Sequence, residues 1–89
     1  YTEAYASAYS HGKEQAIEPY VKAAETARGC GLGINAGHDL SLVNLRYFIH
    51  TIPFIDEVSI GHALICDALH YGLENTVSLY LREIRLAMD

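Results

Sequence analysis

The fold is decided by the stretch INAGHDL at residues 34–40 together with its counterpart VSIGHAL at residues 58–64. Each stretch ends a short apolar run with a Gly-His pair and then opens a helical pattern. Glycine lets a ligand approach the backbone, and free amides at a helix N-terminus attract anions. A histidine beside such amides can donate a hydrogen bond or carry a proton at neutral pH. The two junctions are 24 residues apart, measured from His38 to His62. They predict two strand–helix units that present their loops to one ligand, for which phosphate is the favoured candidate.

Outward from these junctions, strand and helix patterns alternate. The remaining predicted elements are a strand end and loop over residues 1–8, a helix from Lys13 that begins or bends near Pro19 and stops at Gly29 and Gly31, a strand over 32–35, a helix capped by Ser41 and closed by Pro53, a strand over 55–60, and helices over 62–71 and 74–88. The last helix is amphipathic. Its predicted inward stripe consists of Val77, Tyr80, Leu81, Ile84 and Met88.

Alternating strands and helices indicate a parallel sheet with right-handed crossovers. Three parallel strands alone would leave two open edges and poorly covered faces, which parallel sheets avoid. A (β/α)8 barrel uses roughly 30 residues per unit and binds phosphate after its last two strands. We therefore predict an α/β fold in which residues 1–89 form the C-terminal part of one TIM-barrel domain, about three βα units plus a final helix. The chain starts at Tyr1 rather than Met, so we expect it to begin inside a larger gene product.

Composition argues against several classes of protein. The net charge of −5 and six scattered Lys and Arg residues do not provide the clustered basic surface that nucleic-acid binding needs. No run approaches the roughly 18 apolar residues of a membrane span, and no basic segment followed by an apolar one indicates a secretory signal. Two cysteines without metal-binding spacing are expected to be reduced thiols in a cytoplasmic protein.

Specific motifs carry a resemblance to a known family. The segment GINAGH at 33–38, then Asn44, then SIGHA at 59–63 resemble pyridoxine 5′-phosphate synthase, and the opening YTEAYA resembles that family's sixth-strand segment. The resemblance implies a (β/α)8 barrel that condenses 3-amino-2-oxopropyl phosphate with 1-deoxy-D-xylulose 5-phosphate, releasing phosphate and water. It also implies no metal or organic cofactor, and assembly into octamers.

The same resemblance implies roles for four residues. His38 matches the catalytic proton donor, and Gly61 and His62 match the pair that holds phosphate. Asp39 stands where the family commonly has a glycine whose backbone binds ligand, and its carboxylate disfavours a nearby dianion unless it turns away to cap the helix. The family's other acids and bases lie on earlier strands, so this segment alone is predicted to be inactive and to need the rest of the barrel.

Two other functions are alternatives to the interpretation as a pyridoxine 5′-phosphate synthase segment. One is a different phosphate-binding barrel enzyme, since barrels host many chemistries. The other is a non-catalytic α/β module that buries the stripe of residues 77–88 against a partner. A metal site is disfavoured because the five histidines lack ligand spacing. Asp56 and Glu57 are predicted at the N-terminal end of their strand, where they stabilise the fold.

Overall fold

The computed structural model describes all residues from Tyr1 to Asp89. It contains, in order, α1 (Glu3–Ala8), a short 3-10 helix (Tyr9–His11), α2 (Lys13–Gly29), β1 (Asn35–His38), α3 (Leu45–Thr51), β2 (Glu57–Ile60), α4 (His62–Tyr71) and α5 (Leu73–Met88). The predicted mixed α/β class with parallel strands is confirmed. None of the helices is both long and apolar enough to cross a membrane.

The sheet consists of β1 and β2 alone, where the sequence pattern predicts three strands. The two strands are parallel, and their register runs from Asn35 opposite Glu57 to His38 opposite Ile60. Their carboxyl ends therefore lie side by side, and each strand has one unpaired outer edge. The chain by itself shows a two-stranded parallel sheet with helices, and not a closed barrel.

The beginning of the chain corrects one prediction. Residues 3–8 form helix α1, although a strand end and a loop are predicted there. The segment EAYASA is half alanine, the residue with the highest helix propensity. Its one fully buried side chain is Tyr5, whose ring packs edge-to-face on Phe48 with ring centroids 4.9 Å apart. Helix propensity and this buried anchor together explain the difference.

Strand β1 begins three residues later than predicted, after the turn that ends α2. Gly31 has φ +76, and its amide donates to the Arg28 carbonyl while the Leu32 amide donates to the Ala27 carbonyl. This Schellman pattern terminates the helix at the predicted glycines. It leaves Leu32 63% exposed, so β1 occupies 35–38 rather than 32–35. Pro19 lies inside α2, which starts at Lys13.

Helix α5 packs against α3 and α4 through a face adjacent to the predicted one. Of the predicted stripe only Tyr80 is fully buried, and Ile84 is half-buried. Val77, Leu81 and Met88 are 42%, 57% and 63% exposed, respectively. The other buried positions in the helix are Thr76 and Ala87. The predicted stripe is therefore wrong by a rotation of about one residue, or 100°.

Candidate functional site at the ends of the two strands

The structure brings the two Gly-His pairs together at the carboxyl ends of the strands. His38 is the last residue of β1, and His62 is the first residue of α4, which follows β2. Their imidazole rings are 5.9 Å apart between centroids and nearly perpendicular, at 81°. Both side chains are exposed. A cavity of about 360 Å³ opens beside His38, lined also by Tyr1, Asn35, Gly37, Ser59, Ile60 and Gly61, the residue before His62.

The two glycines allow the backbones to approach closely. A Cβ on Gly37 would overlap the carbonyl oxygen of Ser59 on the neighbouring strand. A Cβ on Gly61 would lie 3.1 Å from the carbonyl oxygen of His38 and 3.4 Å from its ring atom Cδ2. Glycine at both positions therefore keeps the two junctions in contact, which is a structural requirement of the site whatever it binds.

His38 has an unusual backbone. Its φ is +75, and it is the only non-glycine residue with a positive φ. The Asp39 amide donates to the Gly37 carbonyl at 3.1 Å, across a single residue. This hydrogen bond and a positive central φ describe the rarer and more strained form of γ-turn. Strain of this kind persists only where surrounding contacts enforce it, and it clusters at functional sites.

Asn44 supports the loop that follows this turn. Its side-chain Oδ1 accepts from the Ser41 amide at 2.8 Å, and its Nδ2 donates to the Asp39 carbonyl at 3.4 Å. The buried Tyr5 hydroxyl donates to the Asn44 carbonyl at 2.6 Å. Ser41, the predicted cap of α3, instead begins the turn before the helix, and its carbonyl accepts from the Leu45 amide at 2.9 Å.

A second support comes from Thr2, which is only 2% exposed. Its hydroxyl donates to the Gly37 carbonyl at 2.6 Å and accepts from the Asp39 amide at 3.3 Å. Sequence reasoning singled out Asn44 only as part of a motif and missed Thr2 and Tyr5 as supports. No local pattern could reveal these two, because their partners lie 35 to 39 residues away.

The Asp39 carboxylate does not cap a helix. Its Oδ2 lies 3.4 Å from Nδ1 of His38, and both side chains are partly exposed to solvent. Its backbone amide is engaged by Gly37 and Thr2. In this structure Asp39 therefore places a carboxylate next to the imidazole of His38 and has no free backbone amide to offer a ligand.

The start of α4 also differs from the sequence expectation. The Gly61 amide donates to the His38 carbonyl at 3.0 Å, so it is not free to bind an anion. The first amides of an α-helix have no partner inside the helix. Those of His62 and Ala63 are in this position, at the positive end of the helix dipole. The amides suited to an anion therefore belong to residues 62 and 63.

Charged groups at the opposite end of the strands have structural partners. Asp56 Oδ2 accepts from the Ile34 amide at 2.7 Å, and Glu57 Oε1 accepts from Asn35 Nδ2 at 2.5 Å. Both carboxylates thus tie the start of β2 to the start of β1, as expected of residues with a structural role. Away from the strands, His50 of α3 also has a structural partner: its Nδ1 lies 3.1 Å from the Ala87 carbonyl oxygen of α5.

Comparison with known proteins identifies related sequences along almost the whole chain. Residues 1–86 match the family model described as pyridoxal phosphate biosynthesis protein PdxJ. The chain is 65% identical to the pyridoxine 5′-phosphate synthase of Cytophaga hutchinsonii and 61% identical to that of Bacteroides thetaiotaomicron, each over 96% of this chain. The corresponding protein of Porphyromonas gingivalis is 58% identical over 97% of the chain. The chain spans about 36% of the length of these relatives.

Proposed function

The chain belongs to the pyridoxal phosphate biosynthesis protein PdxJ family, and we propose that it provides part of the active site of a pyridoxine 5′-phosphate synthase. The proposed reaction condenses 3-amino-2-oxopropyl phosphate with 1-deoxy-D-xylulose 5-phosphate and releases phosphate and water. The observation that carries the proposal is the close approach of His62 to His38, which lines a cavity, within a sequence 65% identical to a synthase of that name.

His38 is the proposed proton donor. Its ring is exposed at the end of β1, beside the cavity, and is held on a strained turn. A positioned histidine can give a proton to a leaving group near neutral pH, which the loss of water and phosphate requires. Donation of this kind typically contributes about 10²- to 10⁴-fold to a rate.

The start of α4 is the proposed phosphate site. Gly61 allows close approach, and the amides of His62 and Ala63, with the His62 imidazole, offer hydrogen bonds and positive potential. Asp39 is proposed to contact the uncharged part of a substrate, because its carboxylate repels a phosphate dianion. The proposed site thus contains the four residues expected from the sequence, His38, Asp39, Gly61 and His62, and also Ala63.

The complete site is proposed to need the rest of a (β/α)8 barrel. The open outer edges of β1 and β2 support this, because parallel strands are stable when paired and covered on both faces. Residues 1–89 then form the C-terminal part of the barrel domain and are inactive alone. The family resemblance extends the proposal to a cytoplasmic homo-oligomer, an octamer.

The first test measures pyridoxine 5′-phosphate formation by the full-length gene product that carries residues 1–89. We expect turnover from the two phosphorylated substrates, and a loss of about 10²-fold or more in kcat for His38→Asn. Asparagine tolerates a positive φ, so this variant removes the imidazole while preserving the turn. The matched control is His70→Asn, in the exposed last turn of α4 beside Tyr71, which should keep normal turnover.

Two further measurements, of phosphate binding and of cellular function, separate the competing functions. Phosphate binding without formation of pyridoxine 5′-phosphate would indicate a different barrel enzyme. A non-catalytic module would lose its cellular function with Leu81→Asp, whose side chain is exposed on α5, and keep it with His38→Asn. The opposite pattern would exclude the module.

A further inference from the structure

Thr2 occupies a position where its hydroxyl is expected to serve its own helix. It is the residue before α1, and threonine there usually accepts a hydrogen bond from an amide in the first turn. In this structure its side chain makes no such cap. The hydroxyl is buried and points instead to the turn around His38, 35 and 37 residues along the chain.

The hydroxyl closes the γ-turn from outside. It donates to the Gly37 carbonyl at 2.6 Å and accepts from the Asp39 amide at 3.3 Å. These are the two groups that the turn itself joins, at 3.1 Å. One side chain therefore forms hydrogen bonds with the peptide groups on both sides of His38 and none with its imidazole. The strained φ of +75 is maintained by a contact that is independent of the ligand.

We propose that Thr2 is a positioning residue that holds His38 in the orientation from which it donates its proton. This inference rests on the proposed function. Without the hydroxyl, the Gly37 carbonyl loses its 2.6 Å hydrogen bond from Thr2 and the turn can relax toward negative φ. Because His38 is the last residue of β1, a change in its φ swings the imidazole away from the cavity and from His62. Misplacement of a reacting group by about 1 Å can cost on the order of 100-fold in rate.

The test uses the full-length gene product with Thr2→Val, which keeps the shape of the side chain but not its hydroxyl, and Thr2→Ser, which keeps the hydroxyl. We expect Thr2→Val to lose about 10- to 100-fold in kcat with KM changed little, because the phosphate site proposed at α4 is untouched. Thr2→Ser should restore most of the activity. The control is Thr26→Val, which removes an exposed hydroxyl that donates to the Lys22 carbonyl at 3.0 Å within α2.

A measurement on the unaltered protein keeps the inference testable if Thr2→Val does not fold. Hydrogen exchange at the Asp39 amide should be slow, because two acceptors hold this group. Fast exchange there, or a folded Thr2→Val with unchanged kcat, would overturn the inference. A rise in KM alone would also overturn it, since that indicates a binding role. Failure of the unaltered protein to form pyridoxine 5′-phosphate would instead overturn the proposed function, a result distinct from each of these.

Discussion

Gly37 shows how much of the site depends on one missing methyl group. A Cβ at this position would overlap the Ser59 carbonyl in the paired strand, where backbone atoms have little room to move. We expect Gly37→Ala to lower the free energy of unfolding by about 1–3 kcal/mol, the usual range for overpacking. Urea denaturation followed by circular dichroism measures this change.

The matched control is Gly29→Ala at the end of α2, where a Cβ would meet no atom within 4 Å. Alanine favours the helix there, so this variant should be neutral or more stable by up to about 1 kcal/mol. Equal unfolding free energies for the two variants would show that the strands are not packed as closely as the structure indicates.

At the scale of elements, two buried tyrosines join separate parts of the chain. Tyr5 of α1 donates its hydroxyl to the Asn44 carbonyl before α3, and Tyr80 of α5 donates to Asp67 Oδ2 of α4 at 2.7 Å. Burial raises the pKa of both phenols well above the usual value. The charges of Tyr9 and Tyr47 add to the pKa rise at Tyr5, and the hydrogen bond to Asp67 adds to that at Tyr80.

These raised pKa values predict a loss of stability in alkali. Between the unfolded pKa near 10 and the higher folded pKa, the folded state holds more protons than the unfolded state. The contribution of each tyrosine to the free energy of unfolding is therefore complete below about pH 10. Above that pH it falls by about 1.4 kcal/mol per pH unit for each tyrosine. Unfolding free energies of the parent protein and Tyr80→Phe, measured from pH 8 to 11, should show a shallower decline in the variant. Equal slopes would contradict the prediction.

At the scale of the whole molecule, apolar side chains remain on the surface of α4 and α5. Leu69 is 83% exposed, Leu73 62% and Ile65 58%. Exposed apolar patches favour association. A polypeptide of residues 1–89 alone should therefore self-associate, which light scattering after size-exclusion chromatography can measure.

We expect Leu69→Lys to shift this polypeptide toward the monomer, because it replaces an exposed apolar side chain with a charged one. Ser78→Lys makes the same change in net charge at an exposed polar position of α5 and is the control. Equal masses for the two variants would show that charge, rather than the apolar surface, controls association.

Sequence patterns were most informative where local chemistry decides the structure. The end of α2 at Gly29, just before the left-handed Gly31, the end of α3 before Pro53 and the start of α4 after Gly61 agree with prediction, since backbone geometry at these residues requires few distant contacts. The pairing of the two Gly-His junctions also follows, because parallel strands bring their carboxyl ends to one edge. The strand end and loop predicted over residues 1–8 were wrong because this alanine-rich segment favours a helix, which Tyr5 anchors on Phe48. The predicted buried face of α5 was wrong because it depends on how this helix packs against α3 and α4.

By itself, the sequence determined the α/β class, the family and the four residues proposed for the site, through short motifs whose glycines and histidines act locally. Only the tertiary structure showed that the amides of Gly61 and Asp39 are already bonded, that His38 sits on a strained turn, and that Thr2 holds this turn. The reason is physical. Hydrogen bonds between residues 23 to 37 positions apart, such as those of Gly61 with His38 and of Thr2 with Gly37 and Asp39, depend on the final positions of whole elements, which no local pattern encodes.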